Sequence, residues 1–511
     1  MKKITLLLAC LLLTSYSFGQ MKVKWGPVYK NEGAFTKFYL AGGDVNNYYL
    51  LMRPKKDNTL LKFNYNHNLV GETPITFEYN GDNLMLKEFI HTKTKTFGVF
   101  TDYDKKLNAF TIQAAEFSGG KFSPIKEIAR QPYLIQYKYF YYFALGKTDN
   151  DETGGFSVSA DSSYVATIQT LSSKEKSQAD QISVIVFDEN MQVKWQKIQD
   201  FPYKDKKLDI HDFVVSNNGD VYIAATLDID RKNKGVGMPD YSCKIFRITN
   251  DKFQDFSIEL KGRNIASSIG LFVSSNNEDV YFGGFSMDRD NSTKGDNGTF
   301  FGKLNVTSEK ITATAHPFSK AFLDGLVGEI GIDKGNGVKR FIIKDFVSFP
   351  DGSFSFVAEK YFEFTTSSSS ANATNTVTTY YTNEIIVPRF EENGVLRNIV
   401  KIDKEYRNTK PMYTSYCLAS YNNKLFLLYN DTKTKGEITT NGSKPTYSAL
   451  NLISDLAIIG ADGQIESTKT LFANNESNGD YSPKFSRQFG DKLIICNFKG
   501  AEYQYGTLIL K

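Results

Sequence analysis

One unit recurs along this chain and leaves few folds open to it. It runs as an apolar strand, a polar turn, a second apolar strand, a loop of variable length, a third strand, an amide- or acid-rich turn and a fourth strand. Its first half is plainest in Phe213–Ala225, Phe272–Gly284 and Phe346–Ala358, which turn through Asn218-Gly219, Asn277-Glu278 and Asp351-Gly352. Such dipeptides between β-rich runs mark tight hairpins. The second half recurs in Ile185–Trp195, Ile245–Phe253, Val387–Arg397 and Leu456–Glu466, each turning through acidic or amide residues. Regular repetition of a four-stranded antiparallel unit predicts an all-β fold whose blades pack radially around an axis, a β-propeller.

Counting units places blades at 35–79, 84–129, 153–201, 208–261, 264–319, 338–403 and 413–472. The remainder, 481–511, holds three strands and lacks an outer one. Met21–Trp25 nearly repeats Met191–Trp195, an outer strand by position, so the N-terminal strand is expected to complete the last blade and close the ring. Eight blades are predicted, with seven as the alternative if the weak second unit is misread. A chain of 511 residues exceeds what one hydrophobic core serves, and a ring of repeats resolves this within a single domain. The 14% aromatic share comes from 40 Phe and 30 Tyr with only 2 Trp, which suits pleated, half-buried surfaces. With 41% hydrophobic and 23% charged residues, a disordered chain is excluded.

Residues 1–19 read as a signal peptide: Lys2-Lys3, the apolar run Ile4–Leu13, then a small-x-small site at Ser17-Phe18-Gly19. This leaves 20–511 as the propeller. The apolar run is too short to span a bilayer, and the mature chain is expected to have no transmembrane segment. Leu7-Leu8-Ala9-Cys10 loosely resembles a lipobox, but only six residues separate Lys3 from that cysteine and the apolar run continues past it. Without Lys2 and Lys3, 59 basic residues face 57 acidic ones with no basic block, so neither nucleic acid nor an anionic membrane is implied. Cys243, Cys417 and Cys496 lack the spacing of a disulfide framework or a zinc site. Buried thiols are expected, with a Cys417–Cys496 bridge as the lesser alternative.

Propeller topology locates binding even where it does not name a ligand. Turns between the first and second strands, and between the third and fourth, are short and share one face. The other face carries the long insertions 171–180, 228–241, 288–299, 362–382 and 430–450, joined by the connections 130–152 and 320–340. Insertions gathered on one face of a repeat fold are where binding resides, against the alternative of neutral drift in solvated loops. The candidate binding residues there are Asp228, Asp230, Asp288, Asp290, Tyr380 and Tyr381. The pair Asp149/Asp151 and the aromatic run 137–143 stand beside them, and Ser367–Ser370 with the residues through Thr379 read as a flexible loop crest. Carboxylates two apart can share a Ca²⁺, and Asp288–Ser292 with Asp296 comes nearest, but the loop lacks the remaining oxygen ligands and the fixed glycine. Solvated turn residues are the preferred reading.

Four histidines, His67, His91, His211 and His316, show no metal spacing. His211-Asp212 opens an innermost strand and is read as a hydrogen-bonded wall pair before a general base. No nucleophile elbow, Walker loop or dinucleotide fingerprint is present. No catalytic residue, metal or cofactor is therefore predicted.

The segments Asp345–Tyr361, Asn383–Gly394 and Ser415–Asp431, with the signal peptide ending Ser-Phe-Gly-Gln, resemble an uncharacterised secreted β-propeller family of Bacteroidota. Such proteins often place a Trp in the outer strand after Asn-Gly, where this chain has Leu396-Arg397. The resemblance implies export and a propeller fold, and it carries no activity or site. The turn Asp188–Trp195 is similar to a quinoprotein-like repeat without its glycine, and sialidase-type Asp boxes are missing. No C-terminal secretion domain is recognised, so the periplasm or an outer-membrane association is expected before release from the cell. The leading functional expectation is a non-catalytic binding or scaffolding propeller of the cell envelope, its partner an envelope protein or glycan on the long-loop face. The alternative is a carbohydrate-active hydrolase or lyase working at the central pore. A quinoprotein-like assembly factor is a third reading.

Overall fold

The computed structural model describes residues 21–511 apart from 31–34, 45, 55–57, 105–108, 133–154, 172–180, 204–206, 229–240, 263, 275–278, 290–293, 328–335, 371–372, 433–451 and 474–478. Eight antiparallel sheets form a ring of blades. They span Phe35–Ile75, Leu86–Pro132, Phe156–Asp200, Lys207–Ile258, Asn264–Pro317, Phe341–Ile402, Tyr416–Ala473 and, for blade 8, Asp480–Ile509 together with Lys24–Lys30. Within each blade the strands are called a to d from the axis outwards. The second unit is a genuine blade, which settles the count at eight. The inner strand of blade 8 is split into Asp480–Tyr481 and Arg487–Phe489 around a 3-10 turn at Pro483–Phe485.

The core is not one mass. Buried apolar side chains of the described residues fall into clusters that each bridge two neighbouring blades, because a strand buried on both faces sends alternate side chains to opposite seams. In strand b of blade 4, Val221, Ile223 and Ala225 pack towards blade 3, whereas Tyr222 and Ala224 pack towards blade 5. The seam between blades 5 and 6 is filled largely by phenylalanine, including Phe285, Phe301, Phe354, Phe356 and Phe390. Outer strands alternate exposed and half-buried residues, as in Val193–Asp200, because only one edge of the wedge meets a neighbour. Inner strands are also tied by side chains: the Leu271 N–H of blade 5 donates to Asp212 Oδ2 of blade 4 at 2.7 Å. Cys243, Cys417 and Cys496 are buried free thiols, so the Cys417–Cys496 bridge does not form.

The N-terminal strand Lys24–Lys30 pairs antiparallel with Glu502–Ile509, with Lys24 opposite Thr507 and Lys30 opposite Glu502, and so supplies the missing outer strand. The register is pinned around His67, which sits fully buried at the joint of blades 8 and 1. Its Nδ1 lies 2.7 Å from the Tyr48 hydroxyl and its Nε2 2.8 Å from Thr507 Oγ1. Tyr29 donates to the His67 carbonyl at 2.8 Å, and Gln504 donates to the Gly26 carbonyl at 2.7 Å. A Cβ at Gly26 would stand 2.2 Å from His67 Cβ, so only glycine lets the clasp strand pass. The two tryptophans both lie in outer strands but face opposite ways. Trp195 joins the cluster between blades 3 and 4, whereas Trp25 packs towards blade 7 with its ring 5.1 Å from Phe472. The sequence similarity of the two strands thus fixes their place in the blade and not the direction of the ring.

Two tests follow from this joint. Gly26→Ala should lower stability by at least about 2 kcal/mol as an overpacking change at a seam. Gly71→Ala, whose Cβ meets nothing closer than 3.8 Å, should be near neutral in the same urea titration. Burial, aided by the Lys24 ammonium, pushes the His67 imidazole down to about 4 from an ordinary 6.5. Between those values the unfolded chain binds more protons than the folded one, so the stabilisation is complete above 6.5 and is lost as pH falls towards 4. The slope is at most about 1.4 kcal/mol per pH unit. His67→Gln should flatten that part of the stability–pH curve, although His91, also pushed to about 4 by burial and Arg487, keeps a share of it.

Candidate functional site

Strand pairing defines the two faces. Lys207 at the start of strand a lies opposite Asp228 at the end of strand b, and Asn264 likewise opposite Asp288, so the b–c insertions and the links between blades share one face. Of the residues predicted there, Asp230, Asp290, Asp149, Asp151 and the run 137–143 lie outside the described residues. Asp228 and Asp288 close their strands beneath the insertions. The connection 320–340 is partly a helix, Lys320–Val327, whose Phe322, Leu323 and Leu326 pack onto the seam of blades 5 and 6. Among the described residues no three His, Cys, Asp or Glu side chains cluster as metal ligands. Burial pushes the Cys243 and Cys417 thiols up to about 12, which leaves them protonated at neutral pH.

Below that face the inner strands share an irregularity. Blades 1, 2, 4, 5 and 6 each have a β-bulge in strand a, at Ala41, Lys87, His211, Ser267 and Lys344. A bulge re-aims one side chain without ending the strand. His211 Nε2 lies 3.3 Å from Thr226 Oγ1, and burial pushes its imidazole down, with Asp209 opposing. Its neighbour Asp212 accepts from the Phe213 and Leu271 N–H groups, a wall position. The Ser267 hydroxyl lies within hydrogen-bond reach of both the Phe285 carbonyl, at 3.0 Å, and the Asp296 carboxyl. Burial raises the Asp296 carboxyl to about 6, with the Ser267 bond pulling the other way. Asp296 also joins the b–c insertion of blade 5 to the link into blade 6, through paired backbone bonds with Val338 of 2.9 and 2.8 Å.

The bulged Lys344 belongs to a buried charge network across the seam of blades 6 and 7. Its Nζ donates to Glu359 Oε2 at 2.6 Å and to Ser415 Oγ at 2.7 Å. Lys404 donates to Glu359 Oε1 and, at 3.2 Å, to the Ser415 carbonyl. Burial alone would raise the Glu359 carboxyl, but the two ammonium groups outweigh it and hold it below the usual range. Burial pushes Lys404 down, with Glu359 opposing. Lys404 also feels Asp431, whose Oδ1 accepts the Glu405 and Thr432 N–H groups at 2.8 Å each. Ser415 accepts its bond from an ion-paired ammonium, which cannot take a proton, so this set is a joint and not an activated nucleophile. Glu359→Gln should destabilise by about 3–5 kcal/mol, because it strands two buried ammonium groups. Replacing Lys344 and Lys404 by Met in the same chain should recover much of the loss in urea melts.

The segment 362–382, expected as a loop with a flexible crest, is instead a β-ribbon. Strands Phe354–Ser370 and Ala373–Phe390 stay paired to Ser370 opposite Ala373, because the Thr, Val and aromatic residues among them favour a pleated ladder. Cross-strand hydroxyl pairs such as Thr365–Thr378 at 3.0 Å line one side. The ribbon's foot is braced by Tyr406–Asn408, paired with Tyr380–Thr382. Tyr380 is buried, so of the two predicted tyrosines Tyr381 is the one whose ring lies on the outward side. There it stacks on Phe362 with centroids 4.4 Å apart and planes 8° from parallel. Arg340 caps the Phe362 ring at 4.9 Å and Arg407 the Tyr381 ring at 5.9 Å. Beyond this row Phe364 is 58% exposed and Val377 40%. Sequence reasoning missed Phe362, Phe364 and both arginines. The alternation of Phe362 and Phe364 in a Ser/Thr-rich stretch was the available signal.

No known family profile matches the chain, and no curated protein matches it in sequence. Among solved structures it is similar to the propeller domain of the trilobed protease of Pyrococcus furiosus, at 9% identity and a TM-score of 0.35, over 86% of this chain and 100% of that one. It is also similar to the polysaccharide lyase Uly1, at 10% identity and a TM-score of 0.29, over 97% and 94% of the two chains. A puromycin hydrolase matches at 10% identity and a TM-score of 0.35 over 77% of this chain and 50% of its own.

Proposed function

We propose that this chain is a non-catalytic binding or scaffolding propeller of the cell envelope, exported to the periplasm or held at the outer membrane, that engages a partner through the face carrying its insertions. The observation that carries this reading is the ribbon Phe354–Phe390. It projects an aromatic and apolar side, flanked by two guanidinium groups, from blade 6. Exposed aromatics beside arginine are the groups that dominate protein interfaces once desolvated. The export pattern of residues 1–19 supports the location. Replacing 364–379 by an Asn-Gly turn should abolish capture of envelope proteins or glycans by the mature chain. The melting temperature should stay within about 2 °C, because the removed rungs lie outside the blade seams. Capture that survives this deletion would sink the reading.

One observation favours the pore-centred hydrolase or lyase: the Asp296 carboxyl, raised to about 6, is held by the bulged Ser267 of an inner strand. Such a group is suited to proton donation near neutral pH. Under the binding reading, Asp296→Asn leaves partner capture unchanged. Glycan turnover by the mature chain that disappears in this variant would establish the enzyme instead.

A further inference from the structure

We propose that the outer edge of the ribbon strand, residues 362–370, takes up an extended acidic peptide segment of the partner as an added β-strand. This rests on the binding reading above and names the chemistry of what is bound. Strand a of blade 6, Phe341–Ser348, pairs with strand b only as far as Phe341 opposite Lys360, and one further bond runs from the Tyr361 N–H to the Arg340 carbonyl at 2.9 Å. Beyond it, strand b runs on through nine residues, Phe362–Ser370, with no described strand on that side. The Tyr361 N–H points to this edge, so by alternation the N–H and C=O groups of Glu363, Thr365 and Ser367 point there too.

Natural proteins protect such edges with lysine, proline, bulges or a covering segment. Here Phe362–Ser370 contains no proline and no lysine, and Glu363 is its one charge. An edge that no described strand covers, with Phe364 beside it, is a template for strand addition, where backbone bonds give affinity and alternate side chains give selectivity. An incoming strand would continue the line of strand a outwards, starting beside Arg340. The Arg340 side chain is exposed and has no carboxylate partner among the described residues, while its guanidinium is fixed over Phe362. A carboxylate at the first position on that side therefore meets a preorganised cation. The next side chains on the same side, two and four residues on, run along Phe364 and towards Val377, and apolar groups suit them.

The experiment uses labelled octapeptides in which Asp, or Lys as control, is followed by alternating Thr and Val, with binding to the mature chain read by fluorescence anisotropy. The Asp peptide should bind saturably and at least about tenfold more tightly than the Lys peptide, a difference of about 1.4 kcal/mol. Arg340→Glu should invert that preference. Thr365→Pro should remove binding of both peptides. Its N–H faces the edge that no described strand covers, so the hairpin keeps its own ladder and an unchanged melting temperature. Should Thr365→Pro disturb folding, the charge inversion at Arg340 still decides the question. Equal binding of the two peptides, no binding of either, or binding that survives Thr365→Pro would overturn the proposal. So would a dimer of the wild-type chain in sedimentation that Thr365→Pro dissociates, since a second copy would then own the edge. Envelope capture that survives both point variants but not the ribbon deletion would overturn strand addition and leave the binding reading intact.

Discussion

A ring of sheets closes only if its last blade finds its first, and here a buried imidazole links the two blades beside their shared apolar cluster. His67 reaches Tyr48 within blade 1 and Thr507 within blade 8, while its own Cβ leaves room for nothing larger than Gly26. A neutral ring accepts at one nitrogen and donates at the other, and the two hydroxyls can each take either role, so both bonds form at no cost in charge. The clasp strand joins residues almost 480 positions apart, as Gln504 on Gly26 illustrates. Loop-closure entropy opposes such a contact, but only logarithmically in length, so a modest set of seam contacts suffices to hold it.

The remaining joints use two kinds of chemistry. Most seams are apolar clusters that tolerate aromatic bulk, because neighbouring blades diverge from the axis and leave a widening gap. The joint between blades 6 and 7 has such a cluster too, and adds charged groups to it. Lys344, Glu359 and Lys404 occupy one end of it. At the other, Arg389 lies over the Phe349 ring at 3.7 Å and donates to Ser353 and to the carbonyls of Asn423 and Gly460. Buried ion pairs add little stability over apolar packing of the same volume, so their value lies in fixing one geometry.

The fold was legible because repetition multiplies a weak signal. Each hairpin alone is ambiguous, but Phe213–Ala225 and Phe272–Gly284 share a frame that only a blade satisfies, and Met21–Trp25 fitted the one vacancy. The direction of Trp25 was not legible, since a bulge after it shifts the register by amounts that composition does not encode. The site was legible only in outline. The face was identified from insertion lengths, but the Ser/Thr-rich stretch around Ser367 read as a loop because polar residues suggest solvation. They pair instead, since a two-stranded ribbon can expose both faces while the ladder satisfies its inward backbone groups and water the outward ones. Lys404 carried no signal at all: a lysine in a polar segment is ordinarily solvated, and its burial depends on Glu359, 45 residues away.

The stiff joint and the projecting ribbon are physically linked. Glu359 lies two residues before Tyr361, where the ribbon leaves the blade, and Thr382 on the returning strand accepts the Ser415 N–H. The short strand Tyr406–Asn408 then braces the same level from the far side. The ribbon's base is thus tied to blade 7 through Ser415 and braced within blade 6 by the ladder to Tyr406–Asn408. A two-stranded ribbon in water is marginal by itself, and binding through it would spend affinity on ordering its base. Fixing that base within the fold removes part of the cost before any partner arrives. This offers a physical reason for adding buried charges beside the apolar cluster of this seam.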